Sequence, residues 1–275
     1  MKAIVKKILG IIGRNYFFNF IKFINKGKLV IIYYHRVVET EDLAIVGYDN
    51  MCTEKNSFED QMRFLKEEYN PVKEEDIVAF LKGEKILPKH PVWVTFDDGY
   101  KDNYEVAYPI LKKYGVPATF FVTTGFIDKK IVPPEGIAVN NDVENLFMSW
   151  DEIKEMADSG FGIGAHTVNH KVLSSLGEEA AEKEIAESKY EIEKKINKEV
   201  ISFAYPKGKS SECNLSMCFP ILKKYCFQLA VTTIGGNNKI NFNKNRFGLR
   251  RIGVSLDDTF SFFKLKVSMG SFWQR

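Results

Sequence analysis

The chain has 275 residues, 45% hydrophobic and 27% charged, with 39 Lys and Arg against 36 Asp and Glu for a net charge of +3. That is enough apolar material for one large α/β domain or two small ones, and 22 Phe with 12 Tyr supply a core and leave rings to line a sugar-sized cleft. So small a net charge argues against nucleic acid as a partner, because phosphate binding needs a concentrated basic face.

Residues 1–28 stand apart as a basic amphipathic segment. No acidic residue precedes Glu39, while Lys2, Lys6, Lys7, Arg14, Lys22, Lys26 and Lys28 punctuate Ile, Leu and Phe. Its apolar stretches fall short of the ~20 residues that span a bilayer. Arg14 and Lys22 break the continuity of a secretory signal, and no small-x-small cleavage site follows. Two expectations remain: peripheral contact with an anionic membrane surface, or an Ile/Phe face packed on the domain. Without a secretion signal the expected location is cytoplasmic, at the membrane face under the first reading. Residues 29–275 read as one catalytic domain.

Within that domain, short apolar, β-branched or aromatic runs without alternation read as strands buried on both faces. In chain order they are Leu29–Tyr34, Val92–Phe96, Ala118–Thr123, Gly162–Ala165, Val200–Ala204, Leu229–Thr233 and a weaker Leu249–Val254. Helices are expected between them. One covers Phe58–Tyr69 and another Glu74–Leu81. A third has Pro109 in its first turn and Gly115 past its end. Ser149 and Glu152 form a capping box for a helix closed by Gly160. Glu178–Asn197 carries a stripe of Ala181, Ile185, Ser188, Ile192 and Ile196. Asp257-Asp258 suits the N-terminus of a last helix starting near Leu256. Residues Ile131–Met148 and Lys207–Met217 read as loops. Alternating strands and helices imply a parallel sheet with crossover helices. Cys52, Cys213, Cys218 and Cys226 match no C-x-x-C spacing, so they read as thiols in a reducing compartment rather than a structural metal site.

The polar residues collect at strand C-termini: His35 after Tyr34, Asp97-Asp98 after Phe96, His166 after Ala165, and Tyr205-Pro206 after Ala204. In a β/α barrel that edge is where reactive groups converge. Asp97-Asp98 and His166-x-x-x-His170 can together supply two imidazoles and a carboxylate to a divalent ion, with one carboxylate left to take a proton from water. The second motif would set both imidazoles on one side of a helical turn. Zinc is the default ion, though cobalt, nickel or manganese would also suit such donors.

Thr95-Phe96-Asp97-Asp98-Gly99 and His166-Thr167-Val168-Asn169-His170 resemble the first two motifs of the polysaccharide deacetylase (NodB-homology) family. Tyr114–Phe121 and Ser149–Ile153 resemble it too, and the likeness runs from about Val30 to Val254. It implies a distorted, incomplete (β/α) barrel, with Asp97 as catalytic base and Asp98, His166 and His170 as metal ligands. Two features depart from the common pattern. Phe203–Gly208 stands where an arginine-proline-tyrosine motif is usual, and no histidine follows His170. Tyr33-Tyr34-His35-Arg36-Val37 instead resembles the circularly permuted subgroup, similar to poly-N-acetylglucosamine deacetylases, and would make His35 the general acid.

Arg251 could replace the missing arginine beside Asp97, with Arg250 as competitor. A backbone N–H of Tyr205–Lys207 could face an oxyanion, though Pro206 has none to offer. Tyr205, Trp150 and Phe126 could stack on a sugar or belong to the core. The implied activity is hydrolysis of N-acetyl groups on a glycan or glycan precursor. A deformylase or O-acetyl esterase acting on a lipid-linked sugar and a silent glycan-binding module are the alternatives.

Overall fold

The computed structural model describes residues 27–41, 51–131, 145–239 and 245–269. The segment 1–26 and most of the expected 131–148 loop lie outside them. The strands are β1 Lys28–Tyr34, β2 Arg36–Val38, β3 Cys52–Glu54, β4 Asn70–Pro71, β5 Pro91–Phe96 and β6 Ala118–Val122. They continue as β7 Gly162–Ala165, β8 Ser202–Ala204, β9 Leu229–Gly235, β10 Asn238–Lys239 and β11 Leu249–Gly253. Seven of them close a parallel ring in the order β1-β5-β6-β7-β8-β9-β11 and back to β1. This is the expected distorted (β/α) barrel, one strand short of the usual eight. Distortion is concentrated in β11, whose register against β9 shifts between Leu249 and Arg251.

Strand periodicity divides the core in two. Leu29 and Ile31, Trp93, Phe121, Ala204, Leu229 and Val231, and Leu249 fill the barrel. Their neighbours Ile32, Val94, Phe96, Phe120, Val122 and Phe203 face the helices. Both faces are buried, which is why these runs lack alternation.

The helices are α1 Lys55–Glu68, α2 Glu74–Leu81, α3 Tyr108–Tyr114, α4 Thr124–Ile127 and α5 Trp150–Asp158. After these come α6 Glu178–Ile196, α7 Ser210–Cys213, α8 Leu215–Lys224 and α9 Phe260–Met269. Ser149 and Glu152 form the expected capping box on α5, and Gly115 closes α3 with φ 60°. The α6 stripe of Ala181, Ile185, Ser188, Ile192 and Ile196 is buried.

Two expectations are corrected. Most of Lys207–Met217 is α7 and the start of α8, separated by Asn214 at φ 43°. The last helix begins at Phe260 rather than near Leu256, because Asp258 is used in the preceding turn. It accepts hydrogen bonds from Ser255 N (3.0 Å) and Lys266 Nζ (2.6 Å). Among the described residues no helix is long and apolar enough to cross a membrane.

The N-terminal end of the barrel is closed by α2. Its Glu74 carboxyl accepts from Ser202 Oγ (2.5 Å) and Thr119 Oγ1 (3.2 Å), and Thr119 Oγ1 accepts from Trp93 Nε1 (3.0 Å). Gly162 makes room: a Cβ there would meet Thr119 Oγ1 at 2.5 Å and Glu74 Oε1 at 3.0 Å. Burial pushes the Glu74 carboxyl up to about 8, against the opposing pull of the Ser202 hydrogen bond.

Candidate active site

The opposite end of the barrel holds the reactive groups. Asp97 extends the inward row of Trp93 and Thr95 by one step of strand period, and its amide still pairs with Tyr34 O at 3.0 Å. Arg251 lies on β11 with no exposed surface. Its Nη1 and Nη2 donate to Asp97 Oδ1 and Oδ2, each at 2.7 Å. Its Nε donates to Thr232 O (2.8 Å) and Nη1 also to Thr95 Oγ1 (3.2 Å). Arg250 is exposed and reaches Gly235 O instead, so the pairing with Asp97 falls to Arg251. Burial alone would raise the Asp97 carboxyl, but the guanidinium's charge and its two bonds hold it below the usual range.

Asp98 turns the other way. Its φ of 76° and that of Gly99, 85°, form a left-handed turn that Asp tolerates better than most residues. Asp98 Oδ1 sits 3.3 Å from His166 Nε2 and 3.2 Å from His170 Nε2. It is buried yet has no partner in hydrogen-bond geometry. His166 Nδ1 lies 2.7 Å from Ala204 O; a carbonyl only accepts, so Nδ1 carries the proton and Nε2 keeps its lone pair. The Asp98, His166 and His170 ligand atoms all lie within 4.8 Å of one another. Donors ~2 Å from a shared ion stand roughly 3 to 4 Å apart, so this set fits a divalent cation. An orphaned carboxylate oxygen facing two imidazole nitrogens is what such a site would leave when read without its ion.

The His166–His170 stretch is not the helical turn its spacing suggested. Thr167 and His170 have φ of 66° and 52°, and the loop is fixed from both sides. Gly125 N donates to Val168 O (2.8 Å) and Thr124 N to Thr167 O (3.3 Å). From α6, Glu184 Oε2 accepts from Val168 N (3.0 Å) and Asn169 N (2.8 Å), and Oε1 from Asn169 Nδ2 (2.7 Å).

His35 leaves β1 beside the same cleft. Tyr33 lies edge-on to its ring at 5.6 Å and under the Arg251 guanidinium at 4.5 Å. The turn at His35 is held by Asn103, whose Nδ2 donates to His35 O (2.7 Å). Asp102 accepts from Arg36 Nε (2.7 Å) and Val37 N (3.1 Å). Tyr33, Glu184, Asp102 and Asn103 had no role in the sequence reading. Only the parity of Tyr33 with His35, two residues apart on a strand, could have flagged one of them.

The proposed sugar-stacking rings divide. Tyr205 is 1% exposed and donates its hydroxyl to Phe247 O (2.9 Å), so its ring belongs to the core. Phe126 stacks on Phe147 at 4.6 Å and backs His170 at 5.8 Å. Trp150 is half-buried, donating Nε1 to Asp128 Oδ1 (2.7 Å) under Lys195 Nζ at 5.6 Å. Around Pro206, which is buried, the amides are unequal. Tyr205 N pairs with Val231 O (3.1 Å) and Gly208 N with Pro206 O (2.7 Å). Lys207 is exposed with φ 62°, and its N–H has no partner among the described residues. Cys52, Cys213 and Cys218 are buried and Cys226 is exposed, and none of the four is in a disulfide. Burial pushes Cys213 and Cys218 up to about 12 each.

Comparison with known proteins agrees with this geometry. The family model described as polysaccharide deacetylase matches residues 84–218. The Bacillus subtilis protein YxkH, whose name assigns it to the same family, is 29% identical over 229 residues, 83% of this chain and 72% of that protein. Poly-beta-1,6-N-acetyl-D-glucosamine N-deacetylase of Staphylococcus aureus is 29% identical over 248 residues, 82% of this chain and 78% of that enzyme. The structure of Streptococcus pyogenes deacetylase PplD, in complex with acetate, superposes with a TM-score of 0.72 at 27% identity, over 87% of this chain and 98% of that one. Matched through its motifs, its barrel and its relatives alike, with His35 at the end of a first strand that precedes Asp97-Asp98, consistent with the permuted arrangement, this chain carries a polysaccharide deacetylase domain of the NodB-homology type.

Proposed function

We propose that this chain is a metal-dependent hydrolase that removes N-acetyl groups from an N-acetylated glycan or glycan precursor. The observation that carries the reading is the buried Asp97–Arg251 pair standing next to the Asp98, His166 and His170 donor set. Two adjacent carboxylates are thereby given different work, one to a cation and one to a proton. Asp98, His166 and His170 would hold the ion; when bound, it supplies Lewis acidity that activates water near neutral pH and polarises a carbonyl. Arg251 keeps Asp97 ionised and aimed, so Asp97 can take the proton of the attacking water. The Lys207 N–H, without a partner among the described residues, supports a role as donor to an acyl oxygen as charge develops on it, an interaction worth ~3 kcal/mol in such sites. An amine is a poor leaving group, and His35 supplies the proton it needs to depart.

The name of the Staphylococcus aureus relative supports an N-acetylglucosamine polymer as substrate class. Location at a cytoplasmic membrane face, through residues 1–28, stays part of the proposal. The test is metal content together with acetate release from a panel of acetamido-sugars. Asp97→Asn should keep its metal and lose 10²- to 10⁴-fold in turnover, roughly the worth of a positioned base. His35→Ala should lose turnover with metal retained, and His166→Ala should lose both. Parent-rate turnover by Asp97→Asn would remove Asp97 as base. Release of formate, or acetate from O-acetyl sugars alone, would replace N-deacetylation by deformylation or esterolysis.

A further inference from the structure

We propose that Glu184 is a positioning residue for the metal centre, setting ion affinity by locking the backbone between the two histidine ligands. The inference rests on Asp98, His166 and His170 forming such a centre. Glu184 touches none of the three. Its carboxylate lies on α6 and spends both oxygens on the segment that connects His166 to His170, Oε2 taking Val168 N and Asn169 N and Oε1 the Asn169 side-chain Nδ2, at 2.7 to 3.0 Å.

That segment needs outside support. It belongs to no helix or strand, so it satisfies none of its polar groups internally. Thr167 and His170 are in left-handed conformations, which are strained for any residue with a Cβ. Relaxing either would swing the His170 imidazole away from Asp98. The two-sided clamp opposes this, with the first amides of α4 on the loop carbonyls and Glu184 on the loop amides. Gly125 is part of the same device. A Cβ there would meet Val168 O at 2.5 Å, so only glycine lets α4 approach closely enough to donate. Glu184 is 9% exposed, and no Lys, Arg or His among the described residues forms an ion pair with it. A buried carboxylate satisfied wholly by N–H groups of one loop is committed to that loop's shape.

Geometry rather than charge is the claim, and the two are separable by substitution. Glutamine can reproduce all three bonds: its carbonyl oxygen takes both backbone N–H groups, and the Asn169 amide turns over to accept from its nitrogen. Alanine removes all three. The experiment is titration of the metal-free full chain with cobalt(II), followed by its visible absorption spectrum, for the parent, Glu184→Gln and Glu184→Ala. The expected result is affinity within a few-fold of the parent for Glu184→Gln. For Glu184→Ala the expected affinity is roughly 10- to 100-fold weaker, the usual scale for removing an outer support, with an altered cobalt spectrum.

Parent-like affinity in Glu184→Ala would overturn the proposal. So would equal weakening in Glu184→Gln and Glu184→Ala, which would assign the effect to charge. If Glu184→Ala does not fold, Asn169→Ala removes one arm of the clamp and should weaken cobalt binding several-fold; unchanged binding there overturns the proposal. A parent protein that takes up no cobalt at all would defeat the metal centre itself, an outcome distinct from normal uptake by an alanine variant.

Discussion

As the proposed base, the Asp97 carboxylate is useful only while it stays ionised inside a barrel that disfavours its charge, and Arg251 leads in reversing that preference, ahead of His166 and His35. Its depressed carboxyl contributes stability that is complete above the unfolded-state value of about 3.9 and is lost as pH falls through the lower folded-state value. Arg251→Gln removes the largest of the opposing charges and leaves burial to dominate. We predict that the acid limb of kcat/KM moves to higher pH. Stability at neutral pH should fall by roughly 3 kcal/mol, because one member of a buried pair is left behind. A pH–rate profile and urea denaturation check both; an unmoved acid limb would detach Asp97 from the proton transfer. At this scale the sequence was legible where chemistry and strand position coincided, as at Asp97, Asp98, His166 and His35. It was not legible where a side chain works through someone else's backbone. Glu184 lies in a helix of charged residues, and nothing in Glu178–Asn197 distinguishes it from its solvated neighbours. Tyr205 failed for the converse reason: a ring at a strand end is cleft or core according to the packing of Phe203 and Phe247, which lie far apart along the chain.

Strand parity explains both the site and its legibility. On β1 the inward row runs Leu29, Ile31, Tyr33 and then His35; on β5 it runs Trp93, Thr95 and then Asp97. A proposed catalytic group two residues past the last inward strand position needs no special turn. Asp98 is out of phase and needs its left-handed φ to come back to the cleft, which is what the following Gly99 signalled in the sequence. The short strands β2, β3, β4 and β10, two or three residues each, are not legible, because they have too few residues to show any period. Inside the barrel the volumes interlock. Gly164 on β7 faces Phe121 on β6, and a Cβ there would lie 2.3 Å from Phe121 Cδ1 and 2.8 Å from Ser202 Oγ. Gly164→Ala therefore overpacks the interior just below His166. We expect a loss of about 1 to 3 kcal/mol, seen as a lower urea midpoint at unchanged m-value. A parent-like midpoint would mean that the Phe121 ring has room to move which the packing denies it.

At the scale of the whole molecule the barrel's two ends titrate in opposite senses. The cleft end keeps Asp97 ionised, while the closed end keeps Glu74 protonated far above its ordinary range, at about 8. For Glu74 the folded state binds the proton more tightly than the unfolded chain does, whose value is about 4.3. Its favourable contribution is therefore fully present below about pH 4.3. It declines as pH rises and is lost once pH passes the folded-state value of about 8. The span corresponds to an upper bound on the order of 5 kcal/mol at 1.36 kcal/mol per unit, softened by any water that reaches the ionised group. Glu74→Gln keeps the shape and an acceptor for Ser202 and Thr119, and it has no proton to lose. The variant should match the parent near pH 5 and exceed it in stability at pH 9, with the parent's decline between those values absent. Urea unfolding at the two pH values reads this directly. Equal declines in parent and variant would show that Glu74 ionises without cost, and hence that the end of the barrel closed by α2 is open to water.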